Sequence, residues 1–205
     1  MIKVRTFIND CLNSNSYAII NLKEKKAVLV DLGDSKEILS YFSKSKISPT
    51  YIILTHEHYD HICGIKNFIK NFKNVKVICS KKCSKNIKST KKNLSWKWNL
   101  DYKYEDPVIE IEKFKNLKIN NLNFSFYPYE GHSEGGMLIV VSNFIFTGDQ
   151  FTSHEEDVSK YSKTSIKSII KSFKFLKSDF NEENFIFPGH GMKLRLKNLN
   201  LDYLL

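Results

Sequence analysis

Four side chains that commonly bind metal ions fall within six positions, directly after the apolar run 51–54: His56, His58, Asp60 and His61. Neutral imidazole and carboxylate groups are usual ligands of zinc and related metals. Three histidines so close together have no packing purpose on a surface, and burying them without partners would be costly. The spacing therefore predicts a metal site.

This stretch lies where a predicted strand gives way to a predicted helix. Residues 51–54 form a short apolar run typical of a buried strand, and side chains along an extended chain alternate sides. His56, His58 and Asp60 would therefore turn the same way as the chain leaves the sheet. Apolar residues then recur at helical spacing up to Phe72, which predicts that His61 lies at the start of a helix.

The motif His-X-His-X-Asp-His after a hydrophobic strand resembles the signature of the metallo-β-lactamase fold superfamily. The resemblance implies that further ligands come singly from later loops, as a histidine, an aspartate and a last histidine, each beside glycine after a strand. The sequence has these in order at Gly131-His132, Gly148-Asp149 and Gly189-His190. Among relatives, the pattern is similar to that of small glyoxalase II-like hydrolases.

Carried over position by position, the resemblance implies seven ligands for two metal ions, with zinc expected and iron or manganese as alternatives. One ion would be bound by His56, His58 and His132, and the other by Asp60, His61 and His190. Asp149 would bridge the two ions. Asp31, which follows the apolar run 27–30, would orient a ligating imidazole from behind. Because no ligand position is substituted, a non-catalytic binding protein on this fold is disfavoured.

The reaction implied by the resemblance is metal-dependent hydrolysis. Metal ions lower the pKa of a bound water from about 16 toward about 7. A dinuclear-metal-bound hydroxide could then attack a thioester, lactone or ester without a serine or cysteine nucleophile. Asp60, which would hold the attacking water in line, and Asp149, which would bridge the ions, are the expected catalytic residues.

Two other activities of the same fold stay open. Sulfur dioxygenases use a single iron ion held by two histidines and an aspartate, and the present ligand set contains theirs. Phosphodiesterases and tRNA-processing nucleases would suit the lysine excess. Against a nuclease, the sequence has no long glycine-rich and basic arm late in the chain.

Residues 91–105 are the predicted substrate-facing loop. Trp96 and Trp98 alternate there with lysines, a pattern that suits an aromatic or anionic substrate, or a nucleic acid. The segment that begins at Asn93 also resembles an Asn-Leu-Ser loop bordering the active site in glyoxalase II-like members. We therefore expect Asn93, Trp96 and Trp98 to contact the substrate.

Composition indicates a globular protein, and the resemblance implies a small-molecule substrate. The chain has 205 residues, of which 41% are hydrophobic and 13% aromatic, values that suit one folded domain over residues 1–205. Four scattered cysteines do not form a secreted disulfide framework. The first seven residues alternate like a strand and lack the apolar stretch of a signal peptide. We expect a cytoplasmic protein without membrane contact, and the oligomeric state stays open.

The formal net charge of +10 invites a nucleic-acid hypothesis. However, Arg5 and Arg195 are the only arginines among 32 basic residues, and the lysines are spread along the whole chain. Arginine is favoured for forked phosphate contacts. We therefore expect no specific nucleic-acid partner.

Alternating strand-like and helix-like segments predict an α/β fold. Apolar runs separated by polar turns predict strands up to residue 79 and again between 108 and 146, and residues 166–176 have the spacing of an amphipathic helix. With the resemblance, this predicts the four-layer αββα metallo-β-lactamase sandwich. His154 lies in an acidic stretch, so we expect no metal role for it.

Overall fold

Apolar and β-branched runs of the chain form the strands of two six-stranded sheets. The computed structural model describes residues 1–34, 36–151 and 163–200. The two sheets pack face to face through their buried inner surfaces, and helices cover each outer surface. These are the four αββα layers predicted from the sequence, and the fold prediction is confirmed.

The first sheet follows chain order: β1 (Ile2–Ile8), β2 (Asn15–Asn21), β3 (Lys26–Val30), β4 (Ser48–Ile53), β5 (Lys76–Ser80) and β6 (Val108–Ile111). The first three strands are antiparallel, and β3 to β6 are parallel. Parallel neighbours need crossover connections. Three helices lie in these crossovers and pack apolar side chains on the outer face of the sheet: α1 (Lys36–Lys44), α2 (Ile65–Asn71) and α3 (Lys81–Asn86).

The second sheet contains β7 (Lys115–Ile119), β8 (Leu122–Pro128), β9 (Met137–Val141), β10 (Phe144–Gly148), β11 (Phe185–Pro188) and β12 (Leu194–Arg195). All its neighbouring strands are antiparallel except β10 and β11, which are parallel. Helix α4 (Lys163–Asp179) lies in the connection between those two strands. Its buried Ile169 and Leu176 pack on the outer face of this sheet.

The core between the sheets consists of alternate side chains from facing strands. Val28 and Ile53 from the first sheet lie in one buried cluster with Phe126 and Phe146 from the second. Burial of each such side chain contributes roughly 1.5–3 kcal/mol. This core holds the two sheets as a fixed support for the loops at their ends.

The segment around His61 differs from the helix predicted there. Tyr59–His61 is a single 3₁₀ turn, and α2 begins only at Ile65. The reason is a pair of hydrogen bonds to the end of β3: Leu32 N–H donates to the carbonyl oxygen of His61, and Gly64 N–H donates to that of Leu32. Gly64 N–H, which a continuous α-helix would direct to the Asp60 carbonyl, is thereby paired with the end of β3 instead.

In the parts of the chain that the structure describes, no helix has the length and apolar character needed to cross a membrane.

Candidate metal centre

The predicted ligands lie together at one end of the sandwich, because the carboxyl ends of neighbouring parallel strands lie at the same edge of a sheet. β3 and β4 pair in parallel, as do β10 and β11. The 56–61 stretch follows β4, Asp149 follows β10, and His190 follows β11. His132 comes from the loop between β8 and β9. All seven predicted ligands lie in two adjoining clusters.

The first cluster contains His56, His58, His132 and Asp149. Asp149 Oδ2 lies 3.4 Å from His132 Nε2 and 3.8 Å from His56 Nε2. His58 Nδ1 lies 3.0 Å from His132 Nε2. Three imidazole nitrogens and one carboxylate therefore face one small space.

The second cluster contains Asp60, His61, His190 and again Asp149. Asp60 Oδ2 lies 3.3 Å from His61 Nε2 and 3.2 Å from His190 Nε2. Asp149 Oδ1 lies 3.3 Å from His61 Nε2, and Asp149 Oδ2 lies 3.5 Å from His190 Nε2. The Asp149 carboxylate is thus shared by both clusters.

Unpartnered polar atoms show that this donor set fits metal ions. Among the described residues, His56 Nε2, His61 Nε2 and Asp149 Oδ1 are buried and have no hydrogen-bond partner. Leaving such atoms buried and unsatisfied is costly. Nitrogen and carboxylate donors in this ratio suit zinc, iron or manganese. Metal ions bound here would satisfy these atoms.

Asp31 holds the imidazole of His61 from behind. Asp31 Oδ2 lies 3.0 Å from His61 Nδ1, which leaves Nε2 directed to the second cluster. The same carboxylate accepts hydrogen bonds from the backbone N–H of Thr55 at 2.7 Å and from its hydroxyl at 2.6 Å. Asp31 adopts a φ of 55°, a left-handed conformation that aspartate tolerates better than most residues. This is the position that the resemblance gave it.

Thr55 and Glu57 are two supporting residues that the sequence did not reveal. Thr55 Oγ1 lies 3.0 Å from His56 Nδ1, so it orients that ring as Asp31 orients His61. Glu57 is buried and accepts hydrogen bonds at 3.1 Å from both Gly135 N–H and the Ser133 hydroxyl. It therefore ties the loop that carries His132 to the 56–61 stretch.

Gly189 permits the close approach of β11 to Asp149. A Cβ atom at position 189 would lie 1.9 Å from Asp149 Oδ1 and 2.8 Å from His61 Cε1. The backbone is fixed on both sides, because Gly189 N–H donates to the Gly148 carbonyl and the Gly189 carbonyl accepts from Asn15 N–H. No larger side chain fits here without displacing the shared carboxylate.

Burial and the carboxylates of Asp60 and Asp149 give the histidines of the site different protonation states. Burial lowers the pKa of His58 to about 4, so this ring is neutral at pH 7. Burial also opposes the charge of His190, but hydrogen bonds to Asp149 and Asp60 outweigh it and raise the pKa of His190 to about 9. The pKa of Asp149 is well below its usual value, because His61 and His132 outweigh the opposing effect of burial.

Metal affinity is therefore expected to rise with pH. Below pH 9 the metal-free protein carries a proton on His190, and that proton must leave before the ring can bind a metal ion. Between pH 7 and pH 8 the neutral fraction of a group with this pKa rises about tenfold, so affinity should rise about tenfold or more. Competition with a chelator of known affinity, corrected for its own protonation, measures this. An affinity that is equal at the two pH values would contradict the prediction.

The predicted substrate residues differ in exposure. Asn93 is fully buried, and its side-chain amide donates to the Tyr102 carbonyl at 2.8 Å while its oxygen accepts from Ser95 N–H at 2.9 Å. Asn93 thus stabilises its own loop, and the substrate contact expected of it stays a prediction. Trp96 and Trp98 are exposed by 53% and 41%, and Trp98 lies beside Tyr59.

A cleft of about 860 Å³ opens beside the first cluster, with His58 and His132 in its lining. Lys91 and Leu94 from the predicted substrate loop lie in its wall, whereas Trp96 and Trp98 do not. Its volume is in the range of small-molecule sites. His154 lies outside the described residues.

Comparison with known proteins agrees with this geometry. Residues 9–191 match the family described as the metallo-beta-lactamase superfamily. A probable metallo-hydrolase of Streptococcus pyogenes serotype M6 is 26% identical over 203 residues, covering 93% of this chain and 84% of the relative. A hydroxyacylglutathione hydrolase of Pectobacterium carotovorum is 25% identical over 142 residues, covering 69% of this chain and 49% of that protein. The chain thus spans about half the length of this second relative.

Among solved structures, the BLEG-1 B3 metallo-beta-lactamase has a TM-score of 0.84 at 20% sequence identity, with 95% of each chain covered. This likeness shows the same fold.

Proposed function

Because the chain belongs to the metallo-β-lactamase superfamily and is a metal-dependent hydrolase of that family, we propose that it uses two metal ions to cleave a thioester, lactone or ester. The observation that carries the proposal is the shared carboxylate of Asp149, whose oxygens approach the ligand nitrogens of both clusters. A site for one ion would not need the ligand nitrogens of two clusters around a single carboxylate.

The metal pair, when bound, would lower the pKa of a shared water toward neutrality and polarise the substrate carbonyl. Asp60 would orient the attacking water. Burial opposes its charge, but the neighbouring His61 and His190 hold the pKa of Asp60 below its usual value, so it stays an ionised acceptor. Asp31 and Thr55 keep the rings of His61 and His56 fixed during the reaction.

The cleft beside His58 would hold the acyl part of the substrate. Tyr127, Tyr129 and Phe175 form an aromatic wall. Lys91 and Lys171 lie in the same lining, and within the described ranges neither forms an ion pair with a carboxylate. These groups favour a substrate with an aromatic or apolar acyl group that ends in a negative charge. The contact predicted for Trp96 and Trp98 stays a prediction.

Matched thioesters test this substrate class. With the same leaving thiol, the zinc-loaded protein should hydrolyse a 4-carboxybenzoyl thioester roughly fivefold faster, in kcat/KM, than the 4-methylbenzoyl thioester, the size of one exposed ion pair of about 1 kcal/mol. Lys171→Gln should remove much of this preference. Lys174→Gln, on the same helix but not in the lining, is the control and should leave it unchanged.

Two results would contradict the proposal. No hydrolysis of thioesters, lactones or esters by protein that holds two zinc ions would exclude the reaction class. Oxygen uptake with a persulfide by iron-loaded protein, without hydrolysis, would favour the sulfur dioxygenase alternative. An equal rate for the two thioesters would reject the assigned substrate charge and leave the reaction class standing.

A further inference from the structure

Two of the seven predicted ligands, His132 and His190, come from separate loops of the second sheet. Their side chains are 18% and 26% exposed, so the surrounding protein encloses these rings less completely than the fully buried ring of His61. Each of the two loops is held through its main chain by a buried side-chain amide, that of Gln150 or that of Asn15. Neither amide belongs to a metal cluster.

Gln150 connects the His132 loop to helix α4. Its side-chain oxygen accepts a hydrogen bond from His132 N–H at 3.1 Å, and its side-chain nitrogen donates to the Ser172 hydroxyl of α4 at 3.2 Å. Gln150 is buried, so water competes little for these hydrogen bonds. A Cβ atom on Gly131 would lie 2.3 Å from the Gln150 side-chain oxygen, so glycine at this position leaves room for the amide. The main chain of His132 is thereby fixed to the helix.

Asn15 holds the His190 loop from the first sheet. It is the first residue of β2, and its buried side-chain amide donates to the carbonyl oxygens of Pro188 at 3.1 Å and Gly191 at 2.8 Å. Its backbone N–H donates to the Gly189 carbonyl at 2.7 Å. These three hydrogen bonds fix the main chain on both sides of His190.

The two amides act on different clusters. His132 Nε2 lies 3.4 Å from Asp149 Oδ2 in the first cluster, and His190 Nε2 lies 3.2 Å from Asp60 Oδ2 in the second. Metal–ligand distances in proteins vary by only about 0.2 Å around their usual values. A loop that shifts by more than this would therefore take its histidine out of reach of the ion.

We propose that Gln150 and Asn15 are positioning residues, each for one metal cluster: Gln150 holds His132 in place for the first ion, and Asn15 holds His190 in place for the second. This inference rests on the two proposed metal ions and does not depend on the substrate. Loss of a hydrogen-bonding partner of a metal ligand lowers metal affinity roughly 10–100-fold. Each amide should therefore control the affinity of one cluster and leave that of the other nearly unchanged.

Two variants of similar side-chain size test these roles against each other. Gln150→Met and Asn15→Leu remove the side-chain hydrogen bonds and keep most of the packing. Competition with a chelator measures the zinc affinities, and anomalous diffraction from zinc-loaded crystals shows which cluster has lost its ion. We expect Gln150→Met to weaken zinc binding about 10-fold or more at the first cluster and less than about twofold at the second. Asn15→Leu should do the reverse.

Hydrogen exchange of the metal-free protein gives a second readout that requires no ion. In Gln150→Met the backbone amide of His132 should exchange faster than in the parent protein, while the amides of residues 189–191 keep their rates. Asn15→Leu should give the opposite pattern. Gln150→Glu keeps an acceptor oxygen for His132 N–H and should restore slow exchange there.

A purely structural role would weaken both clusters and speed exchange in both loops in either variant, and that result would overturn the proposal. Two variants that equal the parent in affinity and exchange would also overturn it. If the parent binds fewer than two ions, the proposed function fails, and the exchange rates of the metal-free protein still decide whether the amides position the two loops. Gln150→Ala and Asn15→Ala replace a variant that fails to fold.

Discussion

Asp149→Ala should remove metal from both clusters at once. The proposed content of about two ions per chain should fall to a small fraction of one, because Asp149 lies within 3.3–3.8 Å of ligand nitrogens on both sides. Loss of this carboxylate also leaves His56, His58 and His132 without the one carboxylate of their cluster. Emission spectrometry of the purified variant measures the metal, and hydrolysis should fall with it.

The matched control for this variant is Glu134→Ala. Glu134 is an acidic residue in the lining of the same cleft, but it pairs with Lys92 at 2.7 Å and belongs to neither cluster. We expect its metal content to equal that of the parent protein. Unchanged occupancy in Asp149→Ala would show that this carboxylate does not bridge two ions.

His58→Ala should lower kcat/KM by more than about 100-fold. Removing a residue that only hydrogen-bonds to a metal ligand already lowers metal affinity or activity roughly 10–100-fold. The first cluster would lose one of its four groups, while Asp60, His61 and His190 would keep the second intact. The metal content should therefore fall from about two ions to about one. Stopped-flow hydrolysis assays and metal analysis on the same sample separate the two effects.

His154→Ala is the comparison for His58→Ala, because it removes the one histidine that no cluster of the described residues contains. Its metal content and turnover should remain within a few-fold of the parent. Equal losses in the two variants would mean that the hydrolytic site includes different residues.

The fold and the predicted ligand positions could be read from the sequence because their signals are local. His56, His58 and Asp60 follow an apolar run directly, and each later candidate follows a strand and a glycine. Such patterns depend on residues a few positions apart. The strand pairing that brings His132 and His190 to the same place then follows from the α/β architecture.

The supporting residues could not be read in this way, because their roles depend on contacts between distant segments. No sequence pattern marks Thr55, because its hydroxyl meets the Asp31 carboxylate only in the folded protein. Glu57 lies between two histidines and gains its role only from the loop around Ser133. The hydrogen bond of Asn93 is hidden in the sequence for the same reason, since its partner Tyr102 lies at the far end of the same loop.

The parallel pairing of β10 and β11 has a consequence for how the protein is made. During synthesis on a ribosome, every group of the first cluster has been added once Asp149 is in place, but His190 arrives only after the whole of α4 and β11. Gly189, which must lie against the shared carboxylate, arrives equally late. We expect a nascent chain to bind the two proposed metal ions in a fixed order, so that binding of the second ion would mark a chain whose translation and folding have passed β11.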